Sequence, residues 1–302
     1  MSIKTLIVIV GPTGSGKSDV SIEVARHFSA EIISTDSRQF YREIPIGTAQ
    51  PTSEQMAAVR HHFIADRSIH DNYNCGAYEA EAIARLEDIF TRCDTAVAVG
   101  GSGLYIDALC NGLDSLPKVD ESLRVELRER AKSEGVDGLL KELQQLDPDY
   151  YAQVDKANPS RIVRALEIIK TSGQPYSTLR QNRAKERAFQ VVKVGIDMPR
   201  EHLYERINRR VELMIEAGLE SEARSVYQWR ALNSLQTVGY REMFDYFDDK
   251  ISLAEATELI QRNSRRYAKR QMTWFRRDES TLWIAAPEAD LAIKVLKESS
   301  FF

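Results

Sequence analysis

The sequence predicts an α/β protein: a doubly wound parallel sheet core with a helical insertion domain. Three observations predict it. The run TLIVIV is rich in β-branched residues and ends directly in a glycine-rich loop, GPTGSGKS. Short apolar runs of the same kind recur, separated by stretches with helical spacing. Between about residues 116 and 188 the strand signals stop and the chain becomes charged and helical.

TLIVIV, residues 5–10, suits a strand buried on both faces of a parallel sheet. Its direct passage into the glycine loop marks it as a strand and not the apolar core of a signal peptide. In KSDVSIEVARHF, Val20, Val24 and Phe28 fall four apart, on one face of a helix. AEIIS reads as a second strand and TAVAVGG as a third. The helix between them, YEAEAIARLEDIF, carries Ile83, Leu86 and Phe90 in register. The charged stretch that follows shows an amphipathic stripe of Ile162, Ala165, Leu166 and Ile169. Strand character returns in FQVVKVGID, residues 189–197, and Pro199 opens another helix. The expected domain plan is a core in two parts, 1–115 and 189–302, around a helical insertion at 116–188.

Composition narrows the function. A chain of 302 residues can bury one large core or two domains. Its formal charge of −4 argues against wholesale coating of nucleic acid and leaves room for a local basic site. Cys75, Cys93 and Cys110 form no C-x-x-C pair and make an odd count, so reduced thiols and a cytoplasmic location are expected. No apolar run is long enough to span a membrane, and no membrane partner is expected.

GPTGSGKS, residues 11–18, satisfies G-x-x-x-x-G-K-[ST] between a strand and a helix, the context in which that spacing forms a phosphate-binding P-loop. Gly11, Pro12, Thr13, Gly14, Ser15, Gly16, Lys17 and Ser18 form the cradle. Gly14 and Gly16 permit backbone conformations that turn successive N–H groups onto an anion, and the following helix adds positive potential at its N-terminus. Lys17 is placed to reach the terminal phosphate, and Ser18 to hold a magnesium ion, Mg2+. Such a loop ordinarily implies ATP or GTP. Yet TAVAVGG ends without the acidic residue expected to help hold magnesium, and no N-K-x-D motif for guanine is present.

Other candidates converge on the same sheet edge. The second strand ends in IISTDSRQFYR, which delivers Asp36 beside the loop. Asp36 there is a cap, an acceptor for a sugar hydroxyl, or the base for a nucleophile. VGGSGLY offers Ser102 at the mouth of the crevice, or else a tight strand-to-helix turn. Arg206 and Arg210 lie four apart beside the stripe of Leu203, Ile207, Val211 and Met214, either solvated or as a clamp on a diphosphate. The segment RNSRRYAKRQMTWFRR concentrates Arg262, Arg265, Arg266, Lys269, Arg270, Arg276 and Arg277, interleaved with Tyr267, Trp274 and Phe275, as RNA contacts do. A second basic cluster comprises Arg161, Arg164, Lys170, Arg180, Arg183, Lys185 and Arg187.

GPTGSGKS, DSRQFYR, HHF, GGSGLY, NPSRIVRALE, LYERINRRVE, VGYRE and AKRQMTWFR stand in an order that resembles the tRNA dimethylallyltransferases, over about residues 5 to 277. The resemblance implies a P-loop that holds dimethylallyl diphosphate in place of ATP. It implies transfer of the dimethylallyl group to the exocyclic amine of the adenine just 3′ of the anticodon. Asp36 would engage that amine, and Lys17, Ser102, Arg206 and Arg210 would complete the catalytic set. The anticodon stem-loop of the tRNA would meet Asp36, Ser37, Arg38, Gln39, Ser102, Arg124, Arg161, Ile162, Val163, Arg164, Gln236, Gly239, Tyr240 and Arg241, together with Lys269, Arg270 and Trp274 of the basic helix. The enzyme is expected to act as a monomer. Ser102 replaces the threonine more usual in the family's GGTGLY, Phe40 replaces a common valine, and HHFIAD stands where HHLID is common. His61 and His62 lack a third ligand and are not read as a metal site. The rival readings are a kinase that uses the loop on ATP with a small-molecule or nucleotide acceptor, and a nucleotide-gated RNA-binding switch.

Overall fold

Strand β1, Thr5–Val10, runs through a six-stranded parallel sheet in the computed structural model, which describes residues 3–181 and 183–299. The other strands are β2 (Glu31–Ser34), β3 (His61–His62), β4 (Thr95–Gly100), β5 (Gln190–Ile196) and β6 (Leu282–Ile284), in the order β3-β2-β4-β1-β5-β6. Every pair is parallel. Val10 stands opposite Gly100 on one side and Gly195 on the other, so β1 and β4 end level at one edge and β5 runs one residue further.

The continuous apolar character of β1 follows from burial on both faces. Ile7 and Ile9 pack with Val20 and Val24 of helix Lys17–His27 and with Ala292 and Leu296 of helix Ala289–Glu298. Leu6, Val8 and Val10 pack on the opposite side with helices Cys75–Phe90 and Gly103–Asn111 and with Phe275. In helix Cys75–Phe90 the buried stripe is Tyr78, Ala82, Leu86 and Ile89, and the expected Ile83 and Phe90 flank it. Tyr78 sets this rotation by donating to the Ser34 carbonyl at 2.9 Å at the end of β2. The two-residue β3, the three-residue β6 and the last helix carry too short or too polar a pattern to be foreseen from sequence.

A third core gathers Phe40, Ile44, Val211, Leu219, Tyr240, Met243 and Ile260 beneath the segment after β2. It supports helices Arg200–Glu216, Leu219–Val226, Tyr240–Phe247 and Leu253–Phe275.

The described chain falls into two compact units. Residues through Cys110 and from Glu186 onward form one, and Asn111–Lys185 form the other. The second unit is helical. Helices Glu121–Ser133, Asp137–Leu146, Pro148–Gln153 and Pro159–Ser172 enclose a core that includes Leu127, Leu143, Ile162, Leu166 and Ile169. Buried Asp147 organises it by accepting from the Tyr150 amide (3.0 Å) and from the amide and hydroxyl of Ser177 (both 2.7 Å). Among the described residues no helix is long and apolar enough to cross a membrane.

Candidate active site

The glycine loop leaves β1 at the level edge of the sheet and enters helix Lys17–His27. Gly14 (φ 81°) and Gly16 (φ 85°) occupy left-handed conformations that suit glycine. A Cβ on Gly14 would also lie 2.8 Å from Ile207, so helix Arg200–Glu216 packs directly on the loop. Two arginines of that helix seize it. Arg206 Nε donates to the Gly14 carbonyl at 2.9 Å, and Arg210 Nη1 to Thr13 Oγ1 at 3.0 Å. Lys17 Nζ donates to the Pro12 carbonyl at 2.7 Å.

Two cations thus crowd one cleft. Burial pushes the Lys17 ammonium down to about 7, the charge of Arg210 pushes it the same way, and Asp36 opposes both. Burial likewise lowers the Arg210 guanidinium, again with Asp36 opposing. One carboxylate does not balance two desolvated cations, and an anion of higher charge would.

Asp36 follows β2, where its Oδ1 accepts from the Arg38 amide at 2.8 Å. β2 and β4 end side by side because Gly100 has no side chain: a Cβ there would stand 2.3 Å from Thr35 Oγ1 and 2.6 Å from its carbonyl oxygen. Ser102 lies just beyond. Its Oγ accepts from the Ser37 amide (2.9 Å) and donates to Ser37 Oγ (3.1 Å). Tyr267 lines the same cleft, and its hydroxyl is pushed up to about 12, first by burial and then by the Asp36 charge. Gln271 joins the two turns: its Oε1 accepts from the Thr13 amide, and its Nε2 donates to the Gly101 carbonyl, both at 2.8 Å. Lys17, Ser18, Asp36, Arg210, Tyr267 and Arg270 all line one cleft of about 360 Å³.

The donor set fits a divalent metal ion held mainly by a ligand's phosphate oxygens. Ser18 presents a hydroxyl to the cleft, and among the described residues no cluster of three or more His, Cys, Asp or Glu could hold an ion unaided. His61 and His62 form the edge strand β3, where His61 also lines the cleft and His62 is tied to its neighbours. His62 Nε2 bonds Glu31 Oε2 at 2.6 Å, and Arg92 Nε donates to Glu31 Oε1 at 2.6 Å, which holds the Glu31 carboxyl at about 2.

The family model for IPP transferase matches residues 39–278. The chain belongs to the IPP transferase family. It is 51% identical over 286 residues to tRNA dimethylallyltransferase 2 of Porphyromonas gingivalis, covering 95% of each chain. It is 49% identical to the tRNA dimethylallyltransferase of Christiangramia forsetii, with 94% of each covered. The structure resembles the full-length tRNA isopentenylpyrophosphate transferase of Bacillus halodurans (TM-score 0.70, 38% identity, 98% of this chain and 95% of that one). It also resembles a eukaryotic dimethylallyltransferase acting on tRNA (TM-score 0.81, 25% identity, 98% of this chain and 79% of that one). The doubly wound parallel core expected from the sequence is the fold of this IPP transferase.

Within this IPP transferase the structure brings Lys17, Ser18, Asp36 and Arg210 into one cleft, with Ser37, Arg38, Gln236, Gly239 and Arg241. Ser102 is buried against Ser37. Arg206 bonds the loop from its outer side and is exposed. Other residues of the expected RNA-contacting set are committed to the protein. Ile162 and Val163 are buried in the core of the helical unit. Tyr240 is fully buried and donates to Glu222 Oε1 at 2.5 Å. Gln39 lines the cleft, but its amide donates to the Ala49 carbonyl at 2.8 Å and so holds the cleft wall.

The basic helix divides by face. Trp274 donates to Asp107 Oδ2 at 3.0 Å and packs on Gly103, while Phe275 is buried against the sheet. Trp274 and Phe275 therefore face inward, Tyr267 lines the cleft, and Arg262, Arg266, Lys269 and Arg270 remain exposed. The second cluster is partly neutralised. Arg187 binds Glu79 (3.1 Å) and the Ala108 carbonyl (2.7 Å), Arg164 pairs with Glu167 at 3.0 Å (which Arg124, outside the cluster, also meets at 3.4 Å), and Lys170 pairs with Glu142 at 2.5 Å. Gln271 was not foreseen. The available signal was a neutral residue inside a basic run, four after Tyr267 and three before Trp274.

Proposed function

We propose that the chain transfers a dimethylallyl group from dimethylallyl diphosphate to the exocyclic amine of the adenine 3′ of the anticodon in tRNA, acting as a cytoplasmic monomer. The observation that carries this reading is the pairing of desolvated Lys17 and Arg210 with the single carboxylate of Asp36 in one cleft. The cations demand a polyanion, and Asp36 supplies an acceptor beside it.

In the reaction the bond between the allylic carbon and its phosphate oxygen breaks, and its electron pair leaves with the diphosphate. The amine nitrogen bonds that carbon and loses a proton to Asp36, which releases it to water. Loop amides, Lys17 and Arg210 stabilise the charge that develops on the leaving group. Magnesium held at Ser18 would supply further charge neutralisation when bound. Asp36, fixed by the Arg38 amide, orients the amine and takes its proton, a role typically worth about 10²–10⁴ in rate. Turning the base out of its stack costs a few kcal/mol, which contacts in the cleft offset. Exposed Lys269 and Arg270, with Arg161 of the helical unit, are the basic residues proposed to meet tRNA phosphates.

The test is to incubate the protein with magnesium, dimethylallyl diphosphate and unmodified tRNA, then weigh the digested nucleosides. The expected product is adenosine heavier by one dimethylallyl group, dependent on the diphosphate and indifferent to ATP. Asp36→Asn should lower turnover about 10²-fold or more with tRNA affinity retained. Consumption of ATP with a small-molecule acceptor, and no heavier adenosine, would make the protein a kinase.

A further inference from the structure

We propose that Gln271 is a positioning residue that sets the spacing between the phosphate loop and the Gly101–Ser102 turn, holding the leaving diphosphate in register with the attacking base. This rests on the reaction proposed above. The β1–β4 ladder ends at Val10 and Gly100, just before the loop and the turn diverge. Past that point Gln271 spans the gap with one carboxamide, accepting from the Thr13 amide and donating to the Gly101 carbonyl at 2.8 Å each.

The side chain is 5% exposed, so both backbone groups depend on it and not on water. A Cβ on Gly101 would lie 2.2 Å from Gln271 Nε2, so the turn approaches this closely only as glycine. The same helical face continues the grip. Trp274, three residues later, packs where a Cβ on Gly103 would stand 2.3 Å from its ring. On the other side Thr13 passes the constraint to Arg210 through its hydroxyl. The chain of contacts runs from the Ser102 turn through Gln271 and Thr13 to a guanidinium of the diphosphate site.

The bridge has polarity: one end must accept and the other must donate. A carboxylic acid can replace it only when protonated, with its O–H donating to Gly101 and its carbonyl accepting from Thr13. Burial opposite a carbonyl oxygen raises the introduced acid's pKa into the range of the assay. In Gln271→Glu, kcat/KM for dimethylallyl diphosphate relative to the unaltered enzyme should therefore rise about tenfold as pH falls from about 8 to about 6. Gln271→Met, which can do neither, should lose on the order of 10²-fold in kcat/KM and bind inorganic pyrophosphate more weakly. Its tRNA dissociation constant should stay within about twofold. A flat pH ratio in Gln271→Glu, or pyrophosphate and tRNA affinities that fall together in Gln271→Met, would overturn the proposal. If Gln271→Met does not fold, the pH ratio alone decides. If the unaltered enzyme makes no prenylated tRNA, the reaction assignment fails instead, and pyrophosphate titration of the variants still decides the role of Gln271.

Discussion

Lys17 is the residue whose chemistry depends most on what fills the cleft. Its ammonium is pushed down from 10.5 to about 7 by burial and by Arg210. Between those two values the unfolded chain binds more protons than the folded one. The ligand-free protein therefore gains stability as pH rises through that window, and loses that gain as pH falls toward 7. A bound diphosphate reverses the local balance and returns the proton. Dimethylallyl diphosphate binding should take up a proton at about pH 8 and almost none at about pH 6. Calorimetry in two buffers of different protonation enthalpy reads this directly, and no uptake at the higher pH would show that Lys17 keeps its charge without ligand. The loop around Lys17 was legible because its eight residues are contiguous and their spacing is itself the geometry. Gln271 was not, because its partners lie 258 and 170 residues away in sequence.

At the scale of elements, the walls of the cleft are held by contacts that periodicity does not reveal. The short helix Pro45–Thr48 forms part of one wall, and Glu222 accepts from the Ile46 (2.7 Å) and Gly47 (2.8 Å) amides at its start. Tyr240 completes the arrangement by donating to the same carboxylate and by laying its ring against Gly47. A Cβ on Gly47 would meet that hydroxyl at 2.4 Å and the ring carbons at 2.6 Å. Gly47→Ala should thus cost about 1–3 kcal/mol in urea unfolding. In a Tyr240→Ala background the same change should cost almost nothing, a coupling that a double-mutant cycle isolates. Equal costs in both backgrounds would mean the wall yields elsewhere. The motif VGYRE marked this segment from sequence as one that meets RNA. In the structure the segment divides: Gly239 and Arg241 line the cleft, and Tyr240 turns inward. The basic helix shows the same division, since interleaved aromatics look alike whether they stack on bases or on a sheet.

For the whole molecule, the loss of strand signals led to an expected insertion at 116–188, the compact helical unit spans Asn111–Lys185, and its independence comes from where the chain crosses into it. The Lys185 amide donates to the Asn111 carbonyl at 2.7 Å, so the first and last residues of the helical unit lie side by side. In the other unit Arg187 donates to the Ala108 carbonyl at 2.7 Å, so its own ends at the crossing are also held together. Each unit keeps its own apolar core. A chain in which Cys110 is joined to Glu186 through a few glycines and serines should therefore fold, because the ends to be joined are already neighbours. Its diphosphate site should survive, since every residue that lines the cleft belongs to the retained unit. The affinity for tRNA should fall, and so should its dependence on salt, by about one unit of log–log slope for each phosphate contact that Arg161 and its neighbours make. Pyrophosphate titration and tRNA binding across a salt series measure the two effects separately. An unchanged salt slope would assign tRNA binding to the sheet-bearing unit alone, whereas loss of pyrophosphate binding in a folded deletion would show that the helical unit supports the cleft.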